Sequence, residues 1–328
     1  MSDRYRIFGV EMSPYSVKVR SYFRYKKIPH VWLQRATHQA EYEKVARLPI
    51  IPAVATPEGA GLQDSTPIIE KLEAKFPAPS IHPENPTLAF LSSLIEEYGD
   101  EWGNKLMFHH RYYEEVDQVA TAQVLARTLQ PNVDKATVAK AAKKVRERMT
   151  GRGHFVGSSD ETAPLIDGYF DDLLAILERH LVSRKYLFGG RPAFADFGLA
   201  PQLYELALDP TTGGIIRSRA VNVLDWCYRM IEPRNDGPFE SWESLAPTLA
   251  PLLANAGGYF LPWSAANASA LMAEEESFTV RLGGADYKQQ PQKYHAKSLL
   301  ALRQKYADVT DKSALDPILE AAGCLAYL

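Results

Sequence analysis

Ser13-Pro14-Tyr15-Ser16 follows an apolar run, Tyr5 to Val10, and opens a basic amphipathic segment. The run predicts a strand, and the turn after it a helix start. Pro14 suits the first helical position, because its missing N–H is not needed there and its φ is already helical. Ser13 is a good N-cap. The quartet reads as a Cys-Pro-Tyr-Cys redox motif in which oxygen replaces both sulfurs. The free N–H groups and positive end of such a helix favour a nearby thiolate. A place shaped for a thiolate but owning no thiol suggests that the thiol arrives on a ligand. Taken alone, the quartet reads first as a plain Ser-Pro cap, so the residues that follow decide.

Outward from the turn, Val17, Val19, Tyr22 and Phe23 alternate with Lys18, Arg20, Arg24, Lys26 and Lys27. That pattern predicts a helix with one buried face and one basic face. His30-Val31-Trp32-Leu33 reads as a second strand, and His38 to Lys44 as a loop with a short helix. Pro49 to Ala55 reads as a third strand with Pro52 at its opening, where no N–H need join the ladder. Pro57-Glu58-Gly59-Ala60-Gly61 signals a hairpin turn. Gln63-Asp64-Ser65-Thr66-Pro67 then opens a helix with Ile68, Ile69, Leu72 and Phe76 on its apolar side. A βαβ unit followed by a ββα unit is a compact three-layer plan of thioredoxin size.

Three elements in order, Ser-Pro-Tyr-Ser at 13–16, Ile51-Pro52 and Asp64-Ser65, make this segment resemble the N-terminal domain of the glutathione transferase superfamily. The resemblance implies a cis Ile51-Pro52 bond. It implies that the Ile51 backbone pairs with the cysteinyl backbone of glutathione as a short extra strand. It also implies that Asp64-Ser65 offers a hydroxyl, N–H groups and a helix N-terminus to the γ-glutamyl carboxylate. The Asp64 carboxylate would meet the γ-glutamyl ammonium; a simple helix cap is the other reading. Ser13 holds the position of the active serine in serine-type transferases and is the expected catalytic hydroxyl. Tyr15 and Ser16 are alternatives. His38 is a lesser candidate for the glycyl carboxylate, an exposed histidine being its plainer reading.

From Asn85-Pro86 onward helix patterns dominate. Leu88, Phe90, Leu91, Leu94, Ile95 and Tyr98 begin a long helix that could run through Trp102 and Leu106. Ile166, Tyr169, Phe170, Leu173, Leu174, Leu177 and Leu181 keep i, i+3, i+4, i+7 spacing and predict a central helix. Phe188 to Leu199 resembles the stretch that carries the family's helix-capping box. Ala193 stands where the family usually has Ser or Thr, so Asp196 keeps one half of the reciprocal cap. Tyr98, Trp102, Phe108, Tyr112 and Tyr113 could line an apolar pocket beside the thiol or simply pack in the core. His110 and Glu114 lie one helical turn apart, but two ligands do not make a metal site, and a solvated helix face is expected.

The expected fold class is thus α/β plus all-α. A thioredoxin-like domain over residues 1–80 precedes an all-helical transferase C-terminal domain over 86–235. An extension over 236–328 packs on the helical domain, with a strand at Phe278 to Leu282, a Gly283-Gly284 turn and a helix opening at Gln292. The whole pattern resembles a long bacterial subgroup of the superfamily whose reactions are generally unassigned.

Composition narrows the function classes. A net charge of −3 and a pI near 6.3 argue against a nucleic-acid partner. No apolar stretch approaches the length of a membrane span, and Met1 to Arg6 lacks the apolar core of a signal peptide. A cytoplasmic protein is expected. Cys227 and Cys324 are the two cysteines of the chain, which leaves a disulfide framework or structural zinc unsupported. Cys227, in an apolar helical stretch, reads as buried and inert.

The resemblance implies reduced glutathione as cosubstrate without a metal, a small apolar electrophile as partner, and a homodimer. The alternative is a non-catalytic protein that binds glutathione or a hydrophobic ligand on the same fold. Thiol–disulfide chemistry is disfavoured, because neither position 13 nor 16 supplies sulfur. Isomerase or β-etherase chemistry starts from the same glutathione thiolate and stays open.

Overall fold

The computed structural model describes residues 3–328; Met1 and Ser2, part of the start read above, lie outside the described residues. Tyr5–Gly9 forms β1, Pro14–Tyr25 α1, His30–Gln34 β2 and Gln39–Tyr42 the short α2. Ala53–Ala55 forms β3, Gly61–Gln63 β4 and Ser65–Lys75 α3. The sheet order is β2-β1-β3-β4. β1 runs parallel to β2, with Ile7 opposite Trp32, and antiparallel to β3, with Ile7 opposite Val54. This is the βαβ–ββα plan of a thioredoxin-like domain.

β3 is shorter than the sequence pattern suggests. Pro49 and Pro52 lack N–H groups, so the ladder starts only after Pro52. The basic side of α1 is not solvated either. Lys18, Arg20 and Lys26 are buried. α1 is packed on both flanks, and each cation has found a partner. Arg20 lies 4.6 Å from the Trp32 ring, and Lys26 donates to the Pro79 carbonyl at 2.7 Å and to Glu73 at 2.8 Å.

The helical part begins with α4, Pro86–Glu97, capped by Asn85, whose side chain accepts from the Leu88 N–H at 3.1 Å. The expected long helix does continue, but through a π-helical turn, Tyr98–Gly103, before α5, Asn104–Tyr113. Gly99 explains the approach of the next layer: a Cβ there would lie 2.6 Å from the Gly198 carbonyl carbon and the Leu199 nitrogen. α6 (Glu115–Leu129), α7 (Lys135–Thr150) and α8 (Ala163–Leu181) follow. α8 buries the apolar stripe read from its sequence.

α9 (Phe194–Leu208), α10 (Pro210–Arg219) and α11 (Val221–Arg229) complete this domain. At the start of α9 the Asp196 carboxylate accepts from the backbone N–H of Ala193 at 2.8 Å and of Leu187 at 2.9 Å. It also accepts from the Trp226 indole N–H at 2.8 Å. The surviving half of the cap is therefore a three-way buried anchor.

The extension comprises α12 (Trp242–Asn255), a π turn (Ala256–Phe260), α13 (Leu261–Met272), the hairpin β5–β6 (Phe278–Leu282, Ala285–Gln289), α14 (Lys293–Ala307) and α15 (Leu315–Ala321). It packs on the helical domain through one continuous core. The Trp102 ring packs at a tilt against those of Trp263 and Tyr287, with centroids 5.6 and 5.4 Å apart. The extension also goes further than expected. Lys305 of α14 pairs with Glu70 of α3 at 2.8 Å, so it spans both domains. Among the described residues, no helix is long and apolar enough to cross a membrane.

Candidate functional site

Ser13 ends the turn after β1 with extended backbone, φ −123° and ψ 113°, and its Oγ accepts from the Ser16 N–H at 3.3 Å. A hydroxyl that accepts from its own helix keeps its proton for donation outward. Ser13 is half-buried. The turn is tied down from the helical domain by Arg111, which donates to the Met12 carbonyl at 3.3 Å. Arg111 is itself clamped by Glu205 and Asp209, each at 2.8 Å.

The other residues of the quartet point elsewhere. Ser16 is fully buried, and its Oγ packs where a Cβ on Gly9 would lie 2.9 Å away. Tyr15 donates to the Asp100 carbonyl at 2.9 Å, in the seam between domains. Burial, Glu101, Asp100 and Asp64 push its pKa well above the usual phenol value, so its proton is committed and firmly held.

The Ile51-Pro52 bond is cis. Gln63 fastens the loop before it, accepting from the N–H groups of Arg47 and Leu48 at 2.6 and 3.0 Å and donating to the Leu48 carbonyl at 2.8 Å. Tyr42 adds a bond to the Ile50 carbonyl at 2.7 Å. Pro52 is buried and Ile51 half-buried against the small cluster of Phe8, Tyr42, Ala53 and Ala55. His38 is bound to its own loop, with Nδ1 2.9 Å from Thr37 Oγ and 3.2 Å from the Gln34 carbonyl oxygen.

Asp64 precedes α3 with φ 74° and ψ 126°, a conformation that L-residues rarely adopt, and its side chain makes no helix-cap bond. Residues held there cost about 1–3 kcal/mol and cluster at ligand clamps. Ser65 is buried, with its Oγ 3.4 Å from Asp100 Oδ2. Behind them lies a charged seam. The Lys18 ammonium reaches Asp100 at 2.6 Å, Glu96 at 2.5 Å and Thr66 Oγ at 2.8 Å. Burial alone would lower the Lys18 pKa, but Asp100 and Glu96 outweigh it and hold the amine protonated. Burial lifts Asp100 to about 7, against the pull of Lys18. Burial also raises Asp64, with Glu101 and Glu96 adding to it and a bond from Tyr294 opposing.

Ser13, Ile51-Pro52 and Asp64-Ser65 thus stand on the loops and helix starts at one end of the sheet, where β1 ends, β3 begins and β4 ends. Sequence reasoning missed Lys18, Gln63 and Tyr294. In the sequence Lys18 belongs to a basic face, and nothing local marks its carboxylate partners.

Of the two readings open for the aromatic residues of α4 to α5, packing in the core holds for two of them. Tyr98 and Trp102 are core residues; the Tyr98 hydroxyl donates to Asn255 at 2.7 Å and the Trp102 ring is sealed by the extension. The 109–115 stretch is solvated only in part: Glu114 and Glu115 are exposed, but His109, Arg111 and Tyr112 are buried where α5 meets α6, α8 and α9. Burial pushes His109 down to about 3 and His110 to about 4, so both are neutral. Asp167 of α8 comes within 3.8 Å of each histidine, a neighbour the sequence does not reveal. Cys227 and Cys324 are both buried, and burial raises both thiols, Cys324 to about 12.

Comparison with known proteins agrees with this architecture. Residues 7–80 match the glutathione S-transferase N-terminal domain and residues 135–229 the glutathione S-transferase C-terminal domain, together about half of the chain. No curated protein matches the chain. Among solved structures, a β-etherase of Sphingobium sp. strain SYK-6 is similar at 16% identity and a TM-score of 0.47, over 69% of this chain and 94% of that one. A Tau class glutathione S-transferase of mango, Mangifera indica, aligns at 15% identity and a TM-score of 0.43, over 75% and 97%. A glutathione S-transferase of Methylobacterium radiotolerans, in complex with glutathione sulfonate, aligns at 20% and 0.36, over 75% and 94%. With both domain models matched in order, the chain belongs to the glutathione transferase superfamily.

Proposed function

We propose that this protein binds reduced glutathione, stabilises its thiolate with the Ser13 hydroxyl at the start of α1, and adds the sulfur to an apolar electrophile. The observation that carries this reading is the Ser13 Oγ itself. It accepts from Ser16 N–H and so has its own proton free to give. A free thiol has a pKa of about 8.5. Lowering it by about two units takes roughly 2.7 kcal/mol, within reach of one charge-assisted hydrogen bond plus a helix N-terminus.

The peptide would lie across that end of the sheet, its cysteinyl backbone on Ile51 and its γ-glutamyl end at Asp64 and the α3 N-terminus. Ser65 would serve through its backbone N–H, because its hydroxyl faces Asp100. Tyr15 supports the site by fixing α1 to the π turn; its hydroxyl is spent on Asp100. Ser16 and His38 drop behind Ser13 as ligand contacts, since one is buried and the other tied to its loop. A cytoplasmic homodimer is part of the same proposal.

Calorimetric titration with reduced glutathione, with thiolate absorbance of the complex followed against pH, tests it. Binding with a depressed thiol pKa is the expected result. Binding with an unshifted pKa would favour the non-catalytic binder, and no binding at millimolar ligand would remove the reading altogether.

A further inference from the structure

The extension places α14 across the mouth of the Asp64 corner. Four of its side chains engage acidic partners: Tyr294 meets Asp64, His295 meets Glu101, Ser298 meets Glu97, and Lys305 meets Glu70 and Glu97. Leu299 and Leu302, on the same helix, are buried. The Trp263 ring of α13 backs His295 at 4.7 Å between centroids. α14 is therefore seated by polar and apolar contacts together, and its first turn is not a loose end.

Tyr294 differs from the other three. The residue is 51% exposed, while its hydroxyl donates to both oxygens of Asp64, at 2.9 and 3.1 Å. We propose that Tyr294 is a positioning residue of the glutathione site, its hydroxyl holding the Asp64 carboxylate in place for the γ-glutamyl ammonium. The inference rests on the glutathione reading above. Its physical basis is the crowding of like charge. From the elements packed around it, Asp64 faces Tyr15 and Lys18 of α1, Glu96 of α4, Glu101 of the π turn, and Tyr294 of α14, and Asp100 of the same turn faces Tyr15 and Tyr294 with it. His295 sits on Glu101, and Lys105 of α5 lies next to both. Lys18 is already saturated by Glu96, Asp100 and Thr66. A donor that favours the charged carboxylate is then the Tyr294 hydroxyl. An ammonium ligand can still reach Asp64, because a carboxylate has about four acceptor sites and Tyr294 occupies two.

Tyr294→Phe keeps the ring and removes only the hydroxyl, and its glutathione affinity against pH is the measurement. Removing the donor raises the Asp64 pKa, so the acid limb of binding should move to higher pH by about half a unit to one unit. Affinity should fall several-fold at the acid end and recover toward alkaline pH. In an Asp64→Asn background the same change should have no further effect. Tyr294→Phe with wild-type affinity and an unmoved limb would reduce Tyr294 to an anchor of the extension. Tighter binding by Tyr294→Phe would mean that the hydroxyl competes with the ligand, and would overturn the proposal equally. If the wild-type protein binds no glutathione, the glutathione reading fails first and this inference falls with it.

Discussion

The Lys18 ammonium lies 2.6 Å from the Asp100 carboxylate, joining α1 of the sheet domain to the π turn of the helical domain, with both side chains almost fully buried. Glu96 and Thr66 close the same network. Removing one partner from a buried ion pair costs about 3–5 kcal/mol, because the charge left behind has no solvent. Lys18→Met should therefore lower unfolding free energy by about that amount, measured by urea denaturation at neutral pH. Combining it with Glu96→Gln and Asp100→Asn should recover much of the loss. A single variant within about 1 kcal/mol of wild type would mean that water reaches the seam.

Ser13 carries two separable roles. As N-cap it contributes about 1 kcal/mol, which Ser13→Ala should lose. As thiolate donor it should set the pH dependence of glutathione conjugation, and Ser13→Ala should move the rising limb to higher pH. An unchanged profile alongside a lowered stability would leave only the cap. Ser13→Cys offers a positional check with oxidised glutathione. The new thiolate would attack one sulfur of that disulfide, forming a mixed disulfide and releasing one glutathione thiolate. Mass spectrometry should find the adduct at residue 13, with Cys227 and Cys324 unmodified because both are buried.

His180 is 1% exposed, with Nε2 2.9 Å from the Leu187 carbonyl oxygen and Nδ1 2.8 Å from Thr248 Oγ. Burial lowers it to about 4. Its ordinary value is about 6.5, so between those values the unfolded chain binds a proton that the folded chain refuses. Stability from this group is intact above pH 6.5 and is lost as pH falls toward 4, by at most about 1.4 kcal/mol per pH unit. His180→Gln should flatten that part of the slope in urea unfolding between pH 7 and 5. Asp196, raised to about 7 by burial, acts in the opposite sense over part of the window. The readout is thus the difference between variant and wild type, and parallel slopes would refute the assignment.

Gly99 and Gly198 bring the π turn and α9 into backbone contact. Gly99→Ala would set a methyl 2.6 Å from backbone atoms that cannot swing aside. Overpacking of this kind costs about 1–3 kcal/mol, occasionally more. The thermal midpoint should drop clearly, whereas Gly59→Ala tests only the backbone, since no atom lies within 4 Å of its Cβ and its φ is +89°. Equal effects at the two positions would show that the crossing yields.

Local chemistry made much of this protein readable from its sequence. Pro14 after Ser13, the Ile51-Pro52 pair and Asp64-Ser65 marked the turns and helix starts of the sheet domain, and the α8 stripe and Asp196 marked the bundle. These signals depend on residues a few positions apart, which share a turn or a face. The fixing of Ile51's loop by Gln63 depends on residues 13 to 16 positions apart, and the burial of Lys18, the burial of His109 and the approach of Tyr294 to Asp64 on partners much further away in the chain. Periodicity reports that a face is polar; it does not report that a carboxylate from another helix will meet it. The electrostatics of the seam were therefore decided only when α4, the π turn and α14 closed over α1 and α3, excluding the water that would otherwise have screened each charge.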